Sequence, residues 1–298
     1  MRKFVCIDVG GTFIKYGVIN ESGHILVKSK INTDAKVVMG SGILQKIKDI
    51  IKVYIKEYDI SGICISTAGI IDSKIGKVVY ASPDIMPDYT GINIKEEIEK
   101  TFDIRCEVEN DVNCVGLSEI WLGEGKDASS AVCIALGTGI GGCIILDKKI
   151  VHGFNNSAGE IGYMNVNGKN IQDIASSSAL VKNVCKLKNL SYDEIDGKKV
   201  FELAQKGDID CISEIEKLVK NLCIGISNIC YVINPQVVIL GGGIMAQEYY
   251  LKPLIKKELK NIMVENIYNN TEIKFATRQN NSGMIGALYN FLQKEKSI

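Results

Sequence analysis

Apolar positions along the chain follow two alternating periods. Short β-rich runs at Phe4 to Val9, Lys15 to Ile19 and His24 to Lys30 are separated by Gly10-Gly11-Thr12 and Asn20-Glu21-Ser22-Gly23. That pattern predicts an antiparallel meander. A helical period near Ile43 to Tyr58 comes next, then a buried strand at Gly62 to Ser66, a proline-containing loop, a helix near Ile94 to Phe102 and a strand at Arg105 to Glu109. A second strand-turn-strand theme begins at Val132, where runs at Ala131 to Leu136 and Cys143 to Leu146 flank a glycine-rich turn. Helical patterns follow at about Ile174 to Leu187 and Cys211 to Ile233. A strand at Val237 to Leu240 ends in Gly241-Gly242-Gly243, and helices near Ala246 to Asn261 and Gly283 to Gln293 flank a strand at Glu272 to Ala276. Strands alternating with helices in this way predict two α/β lobes with mixed sheets.

The stretch Ala128 to Leu146 carries no charge and has membrane length, but its glycines divide it into two strand-like halves, so it reads as a buried hairpin. Over 298 residues, 46% of them hydrophobic, the chain can bury a sizeable core. Lys plus Arg and Asp plus Glu balance at 35 each, leaving no field to attract nucleic acid or acidic lipid. The ten cysteines form no CxxC pair and sit mostly in apolar runs, as expected of buried thiols in a reducing compartment. The opening MRKFVCIDVGG runs directly into a strand and lacks a signal-peptide pattern. A cytoplasmic location is therefore expected, with no membrane partner.

Candidate chemistry lies at the ends of the predicted strands. Asp8-Val9-Gly10-Gly11-Thr12 is a tight turn that reads either as a plain hairpin or as a phosphate cradle, with Asp8 holding Mg²⁺ through water. Gly137-Thr138-Gly139-Ile140-Gly141-Gly142 is a second such turn, and Gly241-Gly242-Gly243 a third, at a strand-to-helix junction where a nucleotide could lie. Glu109-Asn110-Asp111 ends a strand and starts a helix that continues from Asn113 to Trp121. It reads as a helix cap or as a base, Asp111, that takes a hydroxyl proton while Asn110 fixes a sugar hydroxyl. Ala158 to Tyr163 offers the Glu160 carboxylate and the Tyr163 phenol to neighbouring sugar hydroxyls, and Ser66-Thr67-Ala68-Gly69 offers a small-residue wall. His24 and His152 read as surface loop residues, and Trp121 as core.

Taken in order, Asp8-Val-Gly-Gly-Thr12, Ser66-Thr-Ala-Gly69, Glu109-Asn-Asp-Val-Asn113, Gly137-Thr-Gly-Ile-Gly-Gly142, Gly159-Glu-Ile-Gly162 and Gly241-Gly-Gly243 resemble the ROK family of sugar kinases and sugar-responsive repressors. The resemblance implies an α/β, two-lobed actin-like ATPase (ribonuclease H-like) fold, its mixed sheets flanked by helices. The C-terminal helix returns to the first lobe, so that residues 1–110 plus about 281–298 form a small lobe and 111–280 a large one. It implies ATP and Mg²⁺ as cofactors and a homodimer. Asp111 is then the general base; Asn110 and Glu160 are sugar ligands; Gly10, Gly11, Thr12, Thr138 and Gly139 cradle phosphate; Gly242 and Gly243 face the adenosine.

Two departures bear on the sugar. Family members usually carry histidine where this chain has Tyr163, followed by a cysteine-rich zinc cluster, and here no cysteine lies between Cys143 and Cys185, so zinc is not expected. The family's next glutamate aligns with Gln172, which leaves the anomeric side of the sugar site altered. Loss of the zinc cluster with Gly162-Tyr163-Met164 in place of Gly-His resembles the β-glucoside kinase branch and implies transfer to the 6-hydroxyl of glucose or a β-glucoside, with N-acetylmannosamine second. A sugar-sensing repressor needs an appended DNA-binding domain, for which the residues before Asp8 leave no room, and the neutral charge offers no basic footprint. A silent sugar-binding protein would lack the need for Asp111.

Overall fold

The computed structural model describes residues 1–296, with the side chain of residue 279 left aside. The chain divides into two compact units. The first comprises 1–126, 152–158 and residues from 280 onward; the second comprises 127–151 and 159–279.

In the first unit, β1 (Lys3–Val9), β2 (Phe13–Asn20), β3 (Ile25–Asn32) and, after α1 (Ala35–Glu57), β4 (Ile60–Thr67) build most of one sheet. A small hairpin of β5 (Ile70–Asp72) and β6 (Lys77–Tyr80) precedes α2 (Ile94–Phe102), β7 (Cys106–Asn110) and α3 (Asp111–Leu122). The sheet order is β3-β2-β1-β4-β7, antiparallel from β3 to β1 and parallel from β1 to β7. Val5, Ile7 and Val9 of β1 pack with Ile63 and Ile65 under α1 and α2, and Phe4 and Cys6 face the other way. Burial on both faces is why β1 and β4 read as nearly continuous apolar runs. The second face is covered by Cys114 of α3 and by Met284, Ile285, Leu288 and Phe291 of α10 (Ser282–Glu295). The approach is close: a Cβ at Gly283 would collide with the Asp8 carboxylate.

The second unit repeats the plan. β8 (Ala131–Leu136), β9 (Ile140–Leu146) and β10 (Lys149–Ile150) form its meander, followed by the hairpin β11 (Asn165–Val166) and β12 (Lys169–Asn170). Four helices come next: α4 (Gln172–Ala175), α5 (Ser177–Lys188), α6 (Gly197–Gln205) and α7 (Ile209–Ile233). β13 (Val237–Gly241), α8 (Glu248–Ile262), α9 (Glu265–Asn270) and β14 (Glu272–Phe275) complete the unit. The order β10-β9-β8-β13-β14 has the same parallel and antiparallel senses as the first sheet. No helix among the described residues is long and apolar enough to cross a membrane, and all ten cysteines are buried free thiols.

The small hairpins β5–β6 and β11–β12 and the short α9 were not in the sequence reading, and three longer helical segments differ from it. The first helix begins at Ala35 rather than near Ile43, and Met39 interrupts it with φ 59° and ψ −177°. The helix expected from Ile174 is two helices, because Ser176 is extended and its hydroxyl caps α5 through Ala179 N at 3.1 Å. α6 was not anticipated; its start is capped by Asp196, which accepts Lys199 N at 2.7 Å.

Candidate functional site

Strand register builds the first half of the site. Asp8 pairs with Lys15 across β1 and β2 and with Ser66 across β1 and β4, and Ser66 pairs with Glu109 of β7. Directly paired residues share a face of the sheet, so these four form one polar row at the carboxyl ends of the parallel strands. Ser66 Oγ donates to Asp8 Oδ1 at 2.7 Å, and Lys15 Nζ lies 3.8 Å from Oδ2. Burial raises the Asp8 carboxyl above its usual range, and the Ser66 bond and the Lys15 charge partly offset that rise. The turn beyond Asp8 is closed by Gly10 N to Phe13 O at 3.0 Å and braced by Thr33, whose hydroxyl donates to Gly10 O at 2.6 Å and whose amide donates to Thr12 O at 2.9 Å.

At the end of the row the chain turns into α3. Asn110 is the cap, its Oδ1 accepting Asn113 N at 3.0 Å. Its Nδ2 donates to Gly69 O at 2.8 Å and to Asp111 Oδ1 at 3.0 Å, so both amide hydrogens are committed and one lone pair of Oδ1 remains for a ligand. Asp111 begins the helix, where the dipole favours a carboxylate, and its Oδ1 also accepts Val112 N at 2.9 Å. Desolvation and, after it, the neighbouring Asp8 charge nevertheless push Asp111 up to about 6. The residue remains partly accessible. Ser66 is not accessible: it is sealed, with its hydroxyl on Asp8, which makes it a support for Asp8 rather than a wall against a sugar.

Glu109, one residue upstream, is sealed from solvent. Its Oε1 accepts Asn110 N at 2.9 Å and Asn113 Nδ2 at 3.0 Å, and its Oε2 accepts His152 Nε2 at 2.8 Å. Burial alone would raise this carboxyl, but the His152 and Asn113 bonds outweigh it and hold Glu109 below its usual value. His152, expected on a surface loop, is instead half-buried in the first unit.

The second unit gathers the other expected residues. Gly137 N donates to Gly139 O at 2.9 Å in the turn between β8 and β9, and Thr138 at its tip is exposed. Gln172 stands beside this turn: its Oε1 would lie 2.9 Å from a Cβ at Gly139 and 2.9 Å from one at Gly162. Gly162 sits in the short 3₁₀ turn Ile161–Tyr163, so Gln172, Gly139, Glu160 and Tyr163 form one neighbourhood in which Glu160 and Tyr163 are exposed. Gly242, with φ 96° and a backbone against Leu136, tolerates no side chain. Gly243 shares a cavity of about 340 Å³ with Gly137, Thr138, Ser177, Tyr192 and Asp196. An adjoining cavity of about 250 Å³ is lined by Ser177, Asp196, Lys198, Gly243 and Gln247.

Asp8, Gly10, Gly11, Thr12, Ser66, Gly69, Asn110 and Asp111 thus lie in one unit, and Thr138, Gly139, Glu160, Tyr163, Gln172, Gly242 and Gly243 in the other. Residues outside the motifs also contribute. Lys15 was detectable in principle, since a tight turn after Asp8 places the seventh residue on directly opposite it. Ser177, Tyr192 and Asp196 belong to no motif. Mg²⁺ takes one or two carboxylates together with phosphate oxygens and retained waters, and the Asp8 and Asp111 carboxylates, near enough to repel each other, fit that donor set. Among the described residues no group of three or more His, Cys, Asp or Glu is placed to hold a metal ion.

A family model described as the ROK family matches residues 4–294. A beta-glucoside kinase from Listeria monocytogenes is 32% identical over 304 aligned residues, covering 98% of this chain and 98% of that protein. Two solved structures are similar. A ROK family protein from Streptococcus pneumoniae in complex with sucrose aligns with a TM-score of 0.87 at 30% identity, over 99% of this chain and 100% of that one. A ROK family glucokinase from Streptomyces griseus in complex with glucose and AMPPNP aligns with a TM-score of 0.79 at 26% identity, over 96% and 98%. The mixed sheets and flanking helices are those of the actin-like ATPase fold.

Proposed function

Because the chain belongs to the ROK family and is an ATP-dependent sugar kinase, we propose that it transfers the γ-phosphoryl group of ATP to the 6-hydroxyl of a glucosyl unit, in glucose or a β-glucoside. Asp111 is the general base. The observation that carries this reading is the Asp111 carboxylate itself: capped around but not consumed by α3, partly accessible, and raised to about 6 by burial and by Asp8. A base of that strength is mostly ionised at neutral pH and still accepts a proton readily.

Asn110 and Val112 both donate to Oδ1, which orients the carboxylate and leaves Oδ2 for the proton of the attacking hydroxyl. In-line phosphoryl transfer needs little covalent help from the protein, so positioning and charge supply most of the rate. The Gly11 and Thr12 amides and Lys15 supply positive potential beside Asp8 in the first unit, in a turn closed by the Gly10 amide on Phe13 O. The Thr138 turn is assigned to the polyphosphate, and the cavity lined by Ser177, Tyr192, Asp196 and Gly243 to the nucleoside. Mg²⁺ supplies charge neutralisation on phosphate oxygens when bound, and Asp8 would hold it through water.

The sugar preference rests on Tyr163 and Gln172. Neither residue adds a cation or a carboxylate to its neighbourhood, and the exposed Tyr163 ring, 62% accessible, offers an apolar surface to an aglycone. The beta-glucoside kinase from Listeria monocytogenes supports the β-glucoside assignment through its sequence likeness. A coupled assay of ATP consumption with glucose, cellobiose, other β-glucosides and N-acetylmannosamine tests it. Turnover highest with a glucosyl acceptor is expected, and a preference for N-acetylmannosamine would overturn the acceptor assignment.

A further inference from the structure

We propose that His152 and Glu109 form a latch that positions Asn110 and Asp111 for phosphoryl transfer; the proposal rests on Asp111 being the base. Glu109 is a fully sealed carboxylate, and such a group is costly unless its oxygens are bonded. The bonds divide by oxygen. Oε1 holds the start of α3, through the Asn110 backbone amide at 2.9 Å and the Asn113 side chain at 3.0 Å, and Oε2, among the described residues, holds His152 alone, at 2.8 Å. Rotation of the carboxylate is therefore set at one end by the helix that carries Asp111 and at the other by a single imidazole. Asn110, whose amide is fixed by Glu109, in turn donates to Asp111 Oδ1.

The imidazole comes from a different part of the chain. Residues 152–158 belong to the first unit although the residues on either side, through 151 and from 159, belong to the second. The excursion is closed on itself by Ala158 N to His152 O at 3.1 Å. Ser73 Oγ lies 3.1 Å from the same ring nitrogen, but the ionised Glu109 can only accept, so the one hydrogen on Nε2 goes to the carboxylate, the stronger acceptor. Ser73 is held from behind by Lys294, which donates to its carbonyl and to Glu107. His152 is a positioning residue in this scheme and touches no substrate.

The test is steady-state kinetics on the full chain with the sugar that wild type turns over fastest, comparing His152→Ala, His152→Asn and His152→Gln at a temperature where each is folded by circular dichroism. Loss of the latch is expected to lower kcat by about 10- to 100-fold, the range in which small misplacements of a reacting group act, and to leave KM for ATP within about twofold. Glutamine, whose amide reaches Glu109 and donates to it, restores kcat to within about fivefold of wild type. Asparagine, which is too short, behaves like alanine and serves in its place if the alanine variant does not fold. A purely structural role would lower the melting temperature of all three alike and leave kcat of the folded protein unchanged. Kcat within twofold of wild type in the alanine or asparagine variant, or no gain from glutamine, overturns the latch and leaves the kinase reading standing. A wild-type chain that consumes no ATP with any sugar sinks both.

Discussion

The two sheets share strand order and sense, yet the rows at the ends of their parallel strands carry opposite chemistry. In the first unit the row reads Lys15, Asp8, Ser66, Glu109 from β2 to β7. In the second, the equivalent row reads Gly141, Ala135 and Gly241 from β9 to β13, with Ala276 beside Gly241. The first row gathers three titratable groups and a hydroxyl; Ser66 and Lys15 both face the Asp8 carboxylate, and Glu109 is bonded to Asn110, Asn113 and His152. The second has no side chain larger than a methyl group, so a ligand can approach backbone amides directly. In the proposed mechanism one topology serves acid-base work in one copy and docking of a polyanion in the other, and the division is made by four positions per sheet.

Removing the acid-base side should have the largest effect. Asp111→Asn is expected to lower kcat by about 10² to 10⁴-fold, the usual worth of general-base help, with sugar KM shifted less than about threefold in the same steady-state assay. Making the second row resemble the first should come next. Ala135→Asp puts a carboxylate where Asp8 stands in the other sheet, and repulsion of a nearby phosphate should raise KM for ATP by about 10- to 100-fold while sugar KM holds. An unchanged ATP KM would remove the second turn from the phosphate site. Thr138→Ala deletes one hydroxyl donor, worth about 0.5–1.5 kcal/mol, and should raise ATP KM by about 2- to 10-fold.

The smallest effect is on stability. Because the folded-state value of Asp111 is raised from 3.8 to about 6, its ionised form is disfavoured in the native chain. The penalty is present above about pH 6, shrinks as pH falls and is absent below the unfolded value. Asp111→Asn should accordingly unfold at a higher temperature than wild type at pH 8 and lose that advantage near pH 4, by scanning calorimetry. The gain is at most about 3 kcal/mol, at 1.36 kcal/mol per pKa unit, and is smaller for a group that water reaches. In wild type, kcat/KM should fall tenfold per pH unit below about 6.

The central strands β1, β4, β8 and β13 were legible because they are buried on both faces and their runs are nearly continuously apolar. α1 was shortened in the reading because Met39-Gly40-Ser41-Gly42 breaks the helical period where the backbone itself breaks. The split at Ser176 went unseen because a serine inside an apolar pattern looks like an exposed helical position until its hydroxyl is seen to cap. The strand-end motifs marked where polar side chains gather, but not which partner each group takes. Ser66 shows the limit: its place at a strand end was readable, and its commitment to Asp8 depends on the β1–β4 register. His152 lies 43 residues from Glu109 and carries no local signal of its partner.

The packing of α10 on the first sheet also sets an order of events during synthesis. Phe4, Cys6 and Cys64 share a cluster with Cys114 of α3 and with Met284, Ile285, Leu288 and Phe291 of α10, so that face of the N-terminal sheet stays partly uncovered until α10 is made. At about 5–20 residues per second, it waits on the order of 10–30 s for that cover. The second unit, nearly contiguous in sequence, completes its core first. During that interval a chaperone that binds exposed apolar strands would find its target in the first hundred residues rather than in the middle of the chain.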